Sequence, residues 1–477
     1  VKKMKRYFLL LLVLVLGFFL VSCDGEEEIE GNGEIFVDKE WDIYPTEHTL
    51  TQPVEIDFWS ANSAVDIHGI TQADLVERFN QYQRETYPDS YIKVKISFQG
   101  GYVNQNTKLQ AALIGKTNPE IAMVGVSSFS IYWDNAIDMR QIYTYDEIRD
   151  IHEGFLQFAM YKHKFIGYPF YAATNVFLVN RTLAEATGLA VPTVAEIIAD
   201  PENSYWTWDY MKTLTKKISD ETEEGVYGLA STGPALYESF YTQGLPIYNE
   251  TATQVLFNNE AGIRTLTYWR ELVAEGNMEN PVLDPNHGTK IQGKFVEGKV
   301  GLLWASSSAI KSVYENVYEN RVAQGLDPLF EMDVLPFPKY KNFYSNQSGG
   351  GLIVFNNKSE NKTKAAIEFL RWLTAPEQTA YFSINTGYLA ATKSATQTEI
   401  WQEYAQINPL LDRTIALMDF APEGDLKIPL GRAKALADDD FAKYVKGIYY
   451  DDLTRDIKAV LKECADRVQY ILETNGW

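Results

Sequence analysis

The chain has 477 residues, 45% of them hydrophobic and 22% charged, which makes it globular and too long for one ordinary domain. Its formal charge is -21, and loss of residues 1–22 with their four cations Lys2, Lys3, Lys5 and Arg6 takes it to -25. So acidic a chain repels phosphate backbones, which argues against nucleic acid as a partner.

The first cations precede an apolar run from Tyr7 to Val21, the layout of a secretory signal peptide. At about fifteen residues this run falls short of the roughly twenty that a membrane-spanning helix needs. Leu20-Val21-Ser22-Cys23 resembles a bacterial lipobox, so residues 1–22 read as a lipoprotein signal peptide and Cys23 as the lipidated first mature residue. Residues 23–50, opening with a Gly- and Glu-rich stretch, read as a flexible tether. Cys464 then has no disulfide partner within the chain, and it shares a helical stripe with Leu453, Ile457, Val460, Val468 and Ile471, the pattern of a core thiol.

Order is expected from about Thr51. Val54, Ile56 and Phe58 alternate as a strand, and Thr71-Gln72-Ala73-Asp74 opens a helix with Leu75, Phe79 and Tyr82 on one face. Ile92 to Phe98 is a second strand, residues 103–113 a helix, and Ile121 to Val124 a third strand. The spacing predicts βαβ units and a parallel-rich sheet. Further strands are expected at 168–180, 300–304, 333–338 and 352–356. Helices are expected at 208–217, 262–274, 291–297 and 363–373, with 437–474 mostly helical. Trp206 and Trp208 precede a helix and read as packing for its start.

Motifs for catalysis fail. No G-x-S-x-G, H-E-x-x-H, C-x-x-C or G-x-G-x-x-G occurs, and Gly115-Lys116-Thr117 lacks the first glycine of a phosphate loop. His48, His68, His152, His163 and His287 show no metal-ligand spacing and read as surface or loop residues. Asp438-Asp439-Asp440 and Asp451-Asp452 lack the bent, alternating loop of a calcium site. No cofactor or metal is expected. A glycoside hydrolase needs two opposed carboxylates, and 64 acidic residues always supply a pair, so that alternative rests on abundance alone.

Aromatic residues make up 13% of the chain, with 30 Tyr and 10 Trp. Rings cover the apolar face of a sugar, and amides and hydroxyls satisfy its rim. Several blocks carry a family resemblance: Phe58-Trp59-Ser60, Leu75 to Asn80, Gln99-Gly100-Gly101-Tyr102, Tyr168-Pro169-Phe170 with Val176 to Asn180, Lys294 to Gly301, Gly349-Gly350-Gly351, and Thr386-Gly387-Tyr388-Leu389. In this order they resemble the extracellular solute-binding proteins of carbohydrate ABC importers, the glycerol-3-phosphate-binding and sugar-binding members above all.

The resemblance implies an α/β protein of two lobes, of the periplasmic-binding-protein type, with a hinge of several crossings and a ligand cleft between the lobes. Crossings near Thr174-Asn175, Pro336 and Thr374 give one lobe of 51–173 plus 337–374 and another of 174–336 plus 375–477. It also implies ligand contacts at Trp59, Tyr102, Tyr171, Trp304, Ser306, Ser307, Gly349, Gly350 and Tyr388, with Arg432 as the displaced counterpart of a phosphate-pairing arginine. Tyr102 and Tyr388 are expected from opposite lobes or from the hinge. Val126-Ser127 and Ala172-Ala173 stand where glycerol-phosphate binders carry an acid and a serine, which favours a neutral mono- or oligosaccharide over glycerol 3-phosphate. The implied protein is a monomer, lipid-anchored on the extracytoplasmic face of the cell membrane, that serves the transmembrane subunits of a permease.

Overall fold

The computed structural model describes residues 40–161, 164–231, 235–249, 251–279, 287–418, 420, 437, 441 and 453–475. Cys23, Arg432, the signal peptide and both aspartate runs lie outside the described residues.

The chain alternates β1 (Val54–Ser60), α1 (Ile67–Thr86), β2 (Ile92–Phe98), α2 (Gly101–Gly115) and β3 (Ile121–Gly125). β1 pairs in parallel with both β2 and β3. Val54, Ile56 and Phe58 are buried on one face of β1, where Phe58 meets Phe369 at a ring distance of 5.6 Å and Phe369 meets Phe79 at 5.0 Å. α1 begins earlier than its apolar stripe: Asp66 caps it by accepting a hydrogen bond from the Gly69 amide at 2.8 Å. Tyr82 is 43% exposed, so the buried face runs through Leu75, Val76 and Phe79 instead.

β4 (Tyr168–Asn180) is long and buried almost throughout. In chain order there follow α3 (Trp208–Glu221), β5 (Tyr227–Ser231), α4 (Leu236–Tyr241), α5 (Glu260–Ala274), α6 (His287–Val296), β6 (Val300–Ser306), β7 (Met332–Leu335) and β8 (Gln347–Val354). The later principal elements are α7 (Glu360–Leu373), α8 (Pro376–Thr386), β9 (Leu389–Ala390), α9 (Pro409–Met418) and α10 (Ile457–Asn475). Cys464 in α10 is fully buried.

Among the described residues nine strands form the main sheet, in the order β2-β1-β3-β8-β4-β6-β5, with β7 and β9 also on β4. The sheet is mixed, not parallel-rich. β8 runs antiparallel to β3 and β4, and β4 antiparallel to β6, β7 and β9, because these strands carry the chain back and forth between two halves. β4 changes partners in mid-strand. Up to Thr174 it pairs with β8 and β9; from Asn175 it pairs with β6 and β7.

The other two expected crossings shift. Residues after Pro336 stay with the second half: the Pro336 carbonyl accepts from Trp206 Nε1 at 2.9 Å, Lys339 and Trp206 share a backbone bond, and the Lys341 amide donates to Thr242 O. The second crossing therefore falls at Tyr344 to Gln347. Residues after Thr374 stay with the first half, because α8 packs on α1 and Tyr381 OH donates to Asp74 at 2.9 Å. α9 belongs to the second half, where Arg413 reaches Asp333 of β7. The expected tether also ends sooner. Trp41 Nε1 donates to Tyr143 O at 2.7 Å, and His48 lies on the Tyr87 ring with Nδ1 2.9 Å from Glu368. His48 is thus a loop residue whose side chain packs on the first half.

Candidate functional site

In open α/β sheets ligands sit outside the carboxyl ends of the parallel strands. Here those ends are Ser60, Phe98 and Gly125 in the first half and Ser231 and Ser306 in the second. The crossing of β4 lies between them.

On the first-half side three tyrosines converge. Tyr171 of β4 is 1% exposed, and its ring stacks on Tyr388 at 4.1 Å and on Phe382 at 5.2 Å. The Tyr102 and Tyr171 hydroxyls touch, and the Asn62 side chain is near enough to the Tyr171 hydroxyl to oppose part of the rise in its pKa. Burial raises the pKa of all three phenols, so each is a neutral hydrogen-bonding group at physiological pH. Glycine makes the packing possible. A Cβ on Gly350 would lie 2.4 Å from Tyr171 Cζ, and one on Gly349 would lie 2.2 Å from the Tyr171 carbonyl oxygen. β9 pairs with Ala172 and Tyr171, which brings Tyr388 beside the crossing. The preceding Gly387, at φ 80°, fits against the Ser308 carbonyl and Lys311.

The remaining expected residues separate. Trp59 is half-buried on the face of β1 opposite Phe58 and has no place in the stack. Trp304 is 3% exposed and packs between Phe177 at 4.7 Å and Phe337 at 5.2 Å. Ser307 is fully buried and exchanges hydrogen bonds with the Thr174 backbone, so it pins the crossing. Thr174 is held from the other side by Ser345 Oγ at 2.7 Å. Ser306 lies half-buried at the end of β6, and its Oγ accepts from Ser308 Oγ at 3.1 Å.

Four residues not anticipated as site groups flank the stack or the crossing. Asn62 and His68 follow the carboxyl end of β1. His68 packs 4.7 Å from the Tyr388 ring, and burial lowers its pKa against the opposing pull of Asp66. On the second-half side Asn175 Nδ2 donates to Glu238 Oε1 at 3.2 Å. Glu238 is 2% exposed, and burial pushes its pKa up to about 7. The strand end Phe58-Trp59-Ser60 gave a usable signal for Asn62 and His68; nothing local marks Asn175 or Glu238.

Among the described residues no group of three or more His, Cys, Asp or Glu is placed to hold a metal, and no helix is long and apolar enough to cross a membrane.

The model of the bacterial extracellular solute-binding protein family matches residues 74–409. The sn-glycerol-3-phosphate-binding periplasmic protein UgpB of Pectobacterium atrosepticum is 24% identical over 253 residues, 51% of this chain and 52% of that one. The chain thus spans about half the length of that relative. An arabinooligosaccharide-binding protein of Bacillus subtilis is 20% identical over 384 residues, 79% of this chain and 77% of that one. Among solved structures, the cyclic α-maltosyl-1,6-maltose binding protein of Arthrobacter globiformis superposes with a TM-score of 0.66 at 21% identity, covering 88% of this chain and 100% of its own. UgpB of Mycobacterium tuberculosis in complex with glycerophosphocholine gives 0.67 at 18%, covering 88% and 99%.

Proposed function

Because the chain belongs to the bacterial extracellular solute-binding protein family, whose model spans residues 74–409, we propose that it captures a mono- or oligosaccharide and hands it to an ABC permease. Its matched relatives are binding proteins, so the glycoside hydrolase alternative is set aside. The observation that carries the ligand class is the Tyr171–Tyr388 stack at 4.1 Å beside the strand crossing, ringed by neutral hydroxyl and amide groups. An aromatic face with neutral hydrogen-bonding groups at its rim suits a sugar ring. Ala172 and Ala173, buried at the same crossing, offer a phosphate no side-chain donor or charge.

Glycerol 3-phosphate is the second reading, favoured by the likeness to UgpB. A melting-temperature screen with arabinotriose, maltotriose and glycerol 3-phosphate separates the two. A ligand that binds only the native state adds about 2.7 kcal/mol of apparent stability at a hundred times its Kd. The expected result is a rise with a saccharide, which chromatography then recovers unaltered. A rise with glycerol 3-phosphate alone overturns the saccharide reading.

We further propose that Cys23 carries lipid and holds the protein at the extracytoplasmic membrane face, on the strength of the Leu20-Val21-Ser22-Cys23 block. Cys23→Ser should move the protein from the membrane fraction to the soluble one with ligand binding intact. Unchanged membrane attachment, with no lipid in the mass spectrum of the wild-type N-terminus, would sink this assignment.

A further inference from the structure

The tyrosine stack supplies an apolar platform from the first half only. On the second-half side of the crossing, the groups around Asn175 are polar. Glu238, on α4 just beyond the carboxyl end of β5, is buried and accepts a hydrogen bond from Asn175, the first residue of β4 after its change of partners. Tyr344, at the second crossing, is 5% exposed, and its hydroxyl finds no hydrogen-bond partner among the described residues. Its ring stacks on Tyr241 of α4 at 4.5 Å, and Glu238 is close enough to help raise its pKa, after burial and Tyr241. A buried carboxyl and a buried unpartnered phenol at one spot require an explanation.

We propose that Glu238, Asn175 and Tyr344 form a second, polar subsite that hydrogen-bonds the hydroxyls of a neutral saccharide and rejects a phosphate. This rests on the saccharide reading above. Tyr171 and Asn175 are four residues apart on one extended strand, a span of about 13 Å at ~3.3 Å per residue. That span suits a ligand of more than one ring, with a face on the tyrosines and hydroxyls at the acid.

The exclusion of phosphate is electrostatic. The groups that set the Glu238 titration are burial, its own backbone and Asn175; no cation among the described residues acts on it. Among the described residues the phenols Tyr344 and Tyr241 lie beside it, and burial raises the pKa of Tyr344, which keeps that phenol neutral. Below its raised pKa of about 7 the Glu238 carboxyl is protonated and can donate. Above it the carboxylate accepts hydroxyl hydrogen bonds and repels an anion. Selectivity for saccharide over phosphate therefore rises as pH passes upward through neutrality.

Calorimetric titration at pH 6 and pH 8 tests this with two probes, arabinotriose and glycerophosphoglycerol, a diester that keeps one negative charge across the range. In the wild type the ratio of saccharide to diester affinity should grow at least ~10-fold from pH 6 to pH 8. Glu238→Gln, with its fold checked by melting temperature, should bind arabinotriose at least ~10-fold more weakly than the wild type at pH 8 and show no such pH dependence. A wild-type ratio that does not change with pH overturns the subsite whether or not the variant folds. So does a Glu238→Gln protein that binds and discriminates like the wild type. If the wild type binds no saccharide at either pH, the saccharide reading itself has failed, and the subsite fails with it.

Discussion

Asp333→Ala should destabilise the protein by about 3–5 kcal/mol, the cost typical of removing one partner from a buried ion pair. Asp333 of β7 has a side chain 3% exposed and faces Arg181, whose side chain is 9% exposed. Arg181 Nε and Nη2 both donate to Asp333 Oδ2, at 2.9 and 2.7 Å. The rest of the guanidinium is spent on the Val191 and Pro192 carbonyls, at 3.1 and 2.8 Å, and on Glu185 Oε1 at 3.1 Å, whose side chain is 52% exposed. Alanine therefore strands a desolvated cation that has no other carboxylate as well shielded from water. Arg413 reaches the other oxygen, Oδ1, at 2.7 Å, but its side chain is 45% exposed. Arg413→Ala should then cost no more than about 1 kcal/mol, as for other solvent-screened pairs. Urea denaturation of both variants checks the contrast. Equal, small losses would show that the pair is not desolvated as the structure has it.

The second large effect is expected on binding. Tyr388→Ala removes one ring of the stack on Tyr171 and should weaken saccharide binding by on the order of 2 kcal/mol, roughly 30-fold. Tyr388→Phe keeps the ring and loses the hydroxyl, so its loss should be smaller, about 1 kcal/mol for a neutral hydrogen bond. The platform is already assembled on one side of the crossing, so Tyr388→Ala should bind more weakly and still contract in small-angle scattering once saturated. Calorimetry with the saccharide that most raises the melting temperature supplies the affinities. If Tyr388→Ala binds within about twofold of wild type, the three tyrosines are core residues and the ligand lies elsewhere.

Much of this architecture is legible in the sequence where one face of an element is buried and the other is wet. Val54, Ile56 and Phe58 alternate because β1 covers a core on one side, and residues 168–180 read as one apolar run because β4 is covered on both. Legibility fails where tertiary partners replace local pattern. The start of β8, Gln347-Ser348-Gly349, has no apolar alternation and forms a strand only because β4 lies beside it. The start of α1 is set by the Asp66 cap, while Ile67 and Ile70 stay about half exposed, so its apolar stripe begins a full turn or more late. Pro336 looks like a boundary, yet its carbonyl is taken by Trp206 and the chain remains in the second half. Of the residues that the resemblance implied, the structure brings together Tyr102, Tyr171, Tyr388 and the two glycines that pack against them. Trp304 packs among Phe177 and Phe337. Glu238 is one of 64 acidic residues and carries no local mark; only its burial against Asn175 separates it from the rest.

The place of β8 has a kinetic consequence. Ile121 of β3 pairs with Val354 of β8, and β8 alone bridges β3 to β4 in the sheet order. The first three strands and their helices can gather from local contacts, but they present an open edge until a strand encoded more than two-thirds of the way along the chain arrives to fill it. Closing so long a loop costs entropy before any pairing rewards it, which slows folding. A sheet edge left unpaired meanwhile is a template for wrong partners. The first half thus begins with the first residues to pair and is completed among the last, so the time the chain spends vulnerable is set by one late strand rather than by how fast its helices form.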